Sequence, residues 1–131
     1  MSPNALTILA AAAYGLAAAV AIAFQLAMAG GAPWGAYAMG GRSPGRFPPA
    51  LRVAAVGQAV IIALIASIVL ADAGVLQLPT SISAPSAIWL AVAFSGLSFA
   101  LNAASRSPLE RRVWVPVTAI MLVSSLVVAV T

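Results

Sequence analysis

The sequence predicts an all-α membrane protein, with four transmembrane helices arranged as two antiparallel hairpins and both termini on the non-cytoplasmic side. The chain of 131 residues is 63% apolar and only 6% charged, whereas a soluble domain carries about 25% charged residues. Its apolar residues fall into four runs, each close to the roughly 20 residues that cross a bilayer. A single transmembrane domain over residues 1–131 accommodates these runs and leaves no room for a soluble domain.

Charged side chains are confined to the gaps between the apolar runs, and their signs predict the orientation of the chain. The first gap and its border carry three arginines, Arg42, Arg46 and Arg52. The second gap carries only Asp72. The third carries Arg106, Glu110, Arg111 and Arg112. Cytoplasmic loops of membrane proteins are enriched in Lys and Arg. Residues 30–49 and 105–112 are therefore predicted to face the cytoplasm, and residues 72–86 the opposite side.

Each helix is predicted from one apolar run and the residues at its ends. The runs predict helices over about residues 5–29, 50–71, 87–104 and 108–130. The first run is longer than the apolar core of a secretory signal and has no basic residue before it, so we expect a mature helix. The fourth begins with Ser107, Pro108, Leu109 and Glu110, a pattern typical of a capping box, in which the Ser and Glu side chains bond each other's backbone N–H groups.

A ridge of small residues runs along the first predicted helix. Its members recur every four positions: Ala11, Gly15, Ala19, Ala23 and Ala27. Helices in lipid associate where small residues let two backbones approach closely. The ridge therefore predicts a contact with another helix. That helix belongs to the same chain, to a second copy of it or to another membrane protein subunit.

Three amide side chains fall within or at the end of the predicted spans, at comparable depth in the cytoplasmic half: Gln25, Gln58 and Asn102. Amides in a membrane face the interior of the bundle and bond across helices. Two arrangements satisfy this rule. The three amides bond one another and fix the bundle, or they form the inner wall of a polar cavity that opens to the cytoplasm.

The segment over residues 30–49 is long for a turn and unusual in composition, with six of the ten glycines. Long loops are usually functional or disordered, and Trp and Tyr prefer the headgroup level. One interpretation is a site for an anion or a lipid headgroup, formed by glycine amides with Arg42, Arg46 and Trp34, and with Arg106 from the third gap. The other is a folded interfacial turn whose arginines only anchor the topology.

Residues 31–35 (GAPWG), 40–45 (GGRSPG) and 102–117 (NAASRSPLERRVWVPV) carry a family resemblance. Together with the four-span layout they resemble a set of small, uncharacterised four-helix integral membrane proteins of GC-rich bacteria. The resemblance implies a self-contained small fold and a multi-pass protein of the bacterial inner membrane. It implies no activity and no catalytic residue.

The composition excludes several kinds of chemistry. The chain has no histidine, cysteine or lysine, which removes thiolate catalysis, Schiff-base chemistry and the commonest metal ligand and general base. Asp72 and Glu110 are predicted on opposite sides of the membrane and so cannot act as a carboxylate pair. We expect no enzyme, metal site or cofactor, and basic residues placed beside apolar spans do not predict a nucleic-acid partner.

Two functions fit these expectations. The first is a non-enzymatic interaction module or accessory subunit of a membrane complex, since no ionisable side chain falls within a span. The second is a small oligomeric transporter or channel for a neutral or anionic solute, with a polar cavity on the cytoplasmic side. The size is similar to that of small multidrug-resistance transporters, but those carry a carboxylate in the first helix that this chain lacks. Proton coupling through a buried acid is therefore disfavoured.

Overall fold

The computed structural model describes residues 4–79 and 84–131. Within these ranges the chain is helical and contains no strand, which confirms the predicted all-α class. The four α-helices are α1 (Ala5–Ala29), α2 (Pro49–Asp72), α3 (Ala87–Ala103) and α4 (Pro108–Val130). The connecting segment, residues 30–48, joins α1 to α2 and contains two single-turn 3-10 helices, Gly35–Tyr37 and Met39–Gly41.

Three of the helices, α1, α2 and α4, are long and apolar enough to cross a membrane, by length and composition. Their mean hydropathies over 18 residues are 2.1, 2.6 and 2.3, which are values of a membrane protein. The apolar helix α3 is shorter, with 17 residues. At 1.5 Å per residue it rises about 25 Å, against a hydrocarbon thickness of about 30 Å.

The helix ends are formed by specific side chains. Asn4 Oδ1 accepts a hydrogen bond of 2.8 Å from Thr7 N and so caps α1, while α2 and α4 each begin with a proline in the first turn. The fourth residue of α2, Arg52, donates from Nε to the carbonyl of Ala29 at 2.8 Å. The fourth residue of α4, Arg111, likewise donates to the carbonyl of Ser105, just beyond α3. The guanidinium of Arg52 thus satisfies a carbonyl that the C-terminus of α1 leaves unpaired, whereas that of Arg111 bonds a carbonyl of the turn between α3 and α4.

The core lies along α1, which packs against α2 and α4, while α3 packs mainly against α4. Ala11, Tyr14 and Ala18 on α1 are essentially inaccessible, with exposures of 0%, 0% and 1%. The small residues allow α1 to approach its neighbours closely. The two helices α2 and α3 contact each other less than the other sequential pairs do, so this side of the bundle is packed more loosely.

The predicted ridge of small residues on α1 is divided between the core and the surface. Ala11 is buried, Gly15 and Ala27 are half-buried, and Ala19 and Ala23 are exposed. The ridge therefore makes an internal contact at one end and leaves two small residues on the outer face.

Candidate functional site

A cavity of about 800 Å³ lies between the four helices, at the end of the bundle covered by the connecting segment. Each helix contributes at least one uncharged polar side chain to its wall: Gln25 from α1, Gln58 from α2, Ser98 and Asn102 from α3, and Thr118 from α4. Ligand cavities in proteins commonly measure about 300–1,000 Å³ and combine apolar walls with a few polar groups. This central cavity has the size and the mixed lining of such a site.

The three amides predicted from the sequence all line the central cavity, and they do not bond one another. Asn102 Nδ2 donates to the carbonyl of Ser98, one turn earlier on its own helix, at 2.7 Å. The side chains of Gln25 and Gln58 make no hydrogen bond to any residue in the described part of the chain. Their polar groups therefore face the cavity, where water or a ligand has to satisfy them.

Three charged side chains also line the central cavity: Arg42, Arg106 and Glu110. The two arginines are exposed at its mouth, whereas Glu110 is only 7% exposed. None of the three forms an ion pair within residues 4–79 and 84–131. The cavity thus carries both signs of charge, held apart from each other.

The Glu110 carboxylate does not complete the predicted capping box. Ser107 Oγ accepts from Glu110 N at 3.2 Å, as the pattern predicts, but the Ser107 N–H donates to Ser105 Oγ at 3.1 Å instead of to the carboxylate. Glu110 Oε2 accepts a long hydrogen bond of 3.4 Å from Gly40 N. The carboxylate is therefore turned towards the connecting segment and the cavity.

The connecting segment is folded and anchored by an apolar side chain. Phe47 is 6% exposed and packs with Met28 and Ala55. Gly35 N donates to the carbonyl of Gly45 at 2.9 Å, and a Cβ at Gly35 would lie 1.8 Å from the Ser43 carbonyl oxygen. Only glycine permits this close approach of two stretches of backbone.

Two side chains of the Ser107–Trp114 region hold the connecting segment against α4. Ser107 Oγ donates to the carbonyl of Ala36 at 2.7 Å, and Trp114 Nε1 donates to the carbonyl of Tyr37 at 2.9 Å. These bonds join residues more than 70 positions apart in the chain. The segment is thereby fixed over the mouth of the central cavity, where Tyr37, Gly40 and Arg42 contribute to the wall.

The lining of the central cavity changes from polar to apolar along the bundle. Charged side chains lie at the mouth, the amides follow, and the inner end is formed by apolar side chains that include Ile62, Phe94 and Met121. Along α4, the distance from Glu110 to Met121 corresponds to about 16 Å of helix rise. The cavity therefore suits a molecule with one charged end and one apolar end.

A second, smaller cavity of about 400 Å³ adjoins the first and is lined mainly by aromatic side chains. This outer groove is formed by Phe24, Trp34, Tyr37, Val113 and Trp114. The ring of Phe24 lies stacked at 6.4 Å from that of Trp34 and edge-on at 4.8 Å from that of Trp114. Three of its residues, Phe24, Tyr37 and Trp114, also line the central cavity, so the aromatic rings separate the two spaces.

The structure divides the residues that the sequence grouped as an anion or headgroup site. Arg42 and Arg106 line the central cavity, and Trp34 lies in the outer groove. Arg46 is exposed and lines neither of these two cavities. The N–H groups of Gly35 and Gly41 are bonded to backbone carbonyls and that of Gly40 to Glu110 Oε2, so these three amides are already used within the chain.

Glu110 is the site residue that the sequence pattern obscured, because its spacing from Ser107 is that of a cap. The signal that identifies it is the combination of a carboxylate with Arg42 and Arg106 in segments predicted on the same side of the membrane.

No three His, Cys, Asp or Glu side chains come together to hold a metal ion within residues 4–79 and 84–131. Comparison with protein-family models, with curated proteins and with solved structures gave no match.

Proposed function

We propose that the chain crosses the bacterial inner membrane four times, with the connecting segment and residues 104–107 in the cytoplasm. The distribution of arginines supports this orientation. A helix of 17 apolar residues lies at the short end of the roughly 17–25 residues that can span, so α3 qualifies if the bilayer thins or flanking residues adjust. The hydroxyls of Thr7 and Thr131 lie 2.7 Å apart, which supports both ends of the described chain being on one side.

Within that topology, the function that the geometry supports best is non-enzymatic binding and passage of a small molecule through the central cavity. The observation that carries this proposal is the unbonded state of Gln25 and Gln58 in a cavity of about 800 Å³. Both side chains are half-buried, and no buried side-chain nitrogen or oxygen atom of the described residues lacks a hydrogen-bond partner, so the unbonded amide groups are open to the cavity. A bundle that served only as a scaffold would gain stability by closing these amides on one another.

The accessibility of the cavity to water tests the proposal. Because the native chain has no cysteine, a single introduced cysteine is the only thiol that a reagent can label. We expect Gln58→Cys to react with a membrane-impermeant maleimide added from the cytoplasmic side, because a solute cavity is hydrated. Val60→Cys is the matched control, since Val60 lies two residues away on α2 and is 54% exposed on the outer face. Equal protection of both cysteines would contradict a solute cavity.

The second candidate is the accessory subunit or interaction module. The exposed residues Ala19 and Ala23 favour it, because small residues on an outer helix face permit close approach of another helix. The same face would serve self-association of a transporter. Substituting Ala19 and Ala23 by Leu should abolish a partner or dimer contact there, and an unchanged molecular mass in detergent would remove this candidate.

A further inference from the structure

The carboxylate of Glu110 in the central cavity has no cationic partner within the described residues. Glu110 is 7% exposed. In the described ranges its carboxylate accepts one hydrogen bond, the 3.4 Å contact with Gly40 N, and has no ion-pair partner. A buried carboxylate is stable only when it is paired or well hydrogen-bonded. The geometry leaves room for a small cationic donor against this side chain.

The two arginines of the cavity are equally available to an anion. Arg52 and Arg111 use their guanidinium groups on backbone carbonyls, whereas the side chains of Arg42 and Arg106 bond no residue that the structure describes. Guanidinium groups bind phosphate and carboxylate oxygens through paired hydrogen bonds. Arg42 and Arg106 therefore remain as donors at the mouth of the cavity.

A ligand with a single charge would satisfy one half of this arrangement and oppose the other. A simple anion would lie near the unpaired Glu110, and a simple cation would lie near Arg42 and Arg106. A group that carries an ammonium and an anion a few atoms apart meets both requirements. The apolar inner end, with Phe94 and Met121, adds the requirement for an apolar portion, and a cavity of about 800 Å³ is larger than a headgroup needs.

We propose that the central cavity binds a zwitterionic amphiphile, a lipid whose headgroup carries a primary ammonium and a phosphate. The ammonium bonds Glu110, the phosphate bonds Arg42 and Arg106, and the acyl region begins at Phe94 and Met121. The looser packing of α2 against α3 gives the acyl chains a path to the bilayer. This inference rests on the proposed function of the cavity.

Lipid selectivity measured by native mass spectrometry tests the proposal on the full chain. The protein is purified from vesicles of equal parts phosphatidylethanolamine, phosphatidylcholine and phosphatidylglycerol, and the retained lipids are counted. We expect phosphatidylethanolamine to exceed each of the others by about tenfold, the size expected from one charge-assisted hydrogen bond. The choline lipid lacks N–H donors for Glu110, and the glycerol lipid lacks a cation. Equal retention of the three lipids would overturn the proposal.

Two variants assign the selectivity to the named residues. Glu110→Gln should remove the preference for phosphatidylethanolamine over phosphatidylglycerol, and the double variant R42Q/R106Q should lower retention of both. The two arginines are exposed, so their loss leaves the fold intact, and Arg46→Gln is the matched control because Arg46 lines neither cavity. A double variant that retains lipid as the Arg46→Gln protein does would also overturn the proposal.

A competition experiment separates a lipid from a soluble molecule with the same charged groups. Free phosphoethanolamine should fail to displace the retained lipid at millimolar concentration, because it lacks the apolar portion. Displacement would show that the headgroup alone is recognised and would overturn the lipid assignment. If Gln58→Cys reacts from the cytoplasm while lipid retention is unselective, the solute cavity stands and the zwitterion proposal fails. If Gln58→Cys stays protected after the retained lipid has been removed with detergent, the proposed function itself fails.

Discussion

The hydroxyl of Tyr14 on α1 donates a hydrogen bond of 2.9 Å to Ser95 Oγ on α3, with both side chains fully buried. The direction of this bond follows from the second bond of the serine. Ser95 Oγ donates to the carbonyl of Ala91 at 2.8 Å, so its single proton is used and Tyr14 must be the donor. Since α1 and α3 contact each other little elsewhere, this bond ties together helices that face each other across the core.

Removing the two partners of this bond should have unequal effects on stability. Tyr14→Phe leaves Ser95 bonded to Ala91 and should lower the free energy of unfolding by about 0.5–1 kcal/mol. Ser95→Ala also deletes one hydroxyl oxygen, but it leaves the Tyr14 hydroxyl buried without an acceptor, which should cost about 1–3 kcal/mol. Thermal unfolding of both variants in detergent measures the difference. A larger loss for Tyr14→Phe than for Ser95→Ala would contradict the assigned direction.

The fold of the connecting segment should depend on Gly35. A Cβ there would lie 1.8 Å from the Ser43 carbonyl oxygen and 2.7 Å from that of Gly45, so Gly35→Ala must separate the two stretches, at about 1–3 kcal/mol. Trypsin should then cleave faster after the exposed Arg42 and Arg46. Gly57→Ala on α2 is the control, because no atom lies within 4 Å of its added Cβ. Equal cleavage of the two variants would show that the close approach is not needed.

The helices were predictable because their signals are local. Apolar runs of membrane length and prolines in the first turns of α2 and α4 mark the ends, and the predicted bounds differ from the structural ones by at most one residue. The three amides share a cavity because they lie at similar depth on three helices, which is also a local property of each run. Whether they would bond one another was not predictable, since that depends on helix rotation.

The environment of Glu110 and the course of the connecting segment depend on contacts between distant residues. The spacing of Ser107 and Glu110 matches a cap whichever way the carboxylate turns. Its actual direction is set by Gly40, 70 positions earlier, in a turn where Met39 and Gly40 have φ values of 54° and 67°. The burial of Phe47 likewise follows from the space that Met28 and Ala55 leave for it. No periodicity in the sequence reports these contacts.

The join between α1 and α2 should depend on Arg52 more than on its neighbour Arg46. Arg52 Nε donates to the last carbonyl of α1 at 2.8 Å. A positive charge at this position also interacts favourably with the negative end of the helix dipole. Because Arg52 is half-buried, we expect Arg52→Met to lower stability by about 1 kcal/mol. Arg46→Met removes the same charge from an exposed side chain and should change stability little. Thermal unfolding at low and high salt checks this, and equal losses would contradict a specific capping role.

The proposed topology makes a prediction for single cysteines on either side of α2 and α3. Ser43→Cys lies before α2, Gln77→Cys lies between α2 and α3, and Ser105→Cys lies just after α3. Since the native chain has no cysteine, each variant reports one site. A membrane-impermeant maleimide should label positions 43 and 105 only from the cytoplasmic side and position 77 only from outside.

Ser105 is the position that decides whether α3 spans. With 17 residues, α3 rises about 25 Å and requires a bilayer that thins slightly to match it. If α3 crosses, Ser105→Cys is labelled from the same side as Ser43→Cys, and its arginine neighbours remain in the cytoplasm as the positive-inside rule requires. If α3 lies in the interface instead, Ser105→Cys is labelled with Gln77→Cys, and Arg106 then faces outward with Arg111 and Arg112. That outcome would overturn the four-span topology, whereas labelling of Ser43→Cys from outside would reverse the orientation of the whole chain.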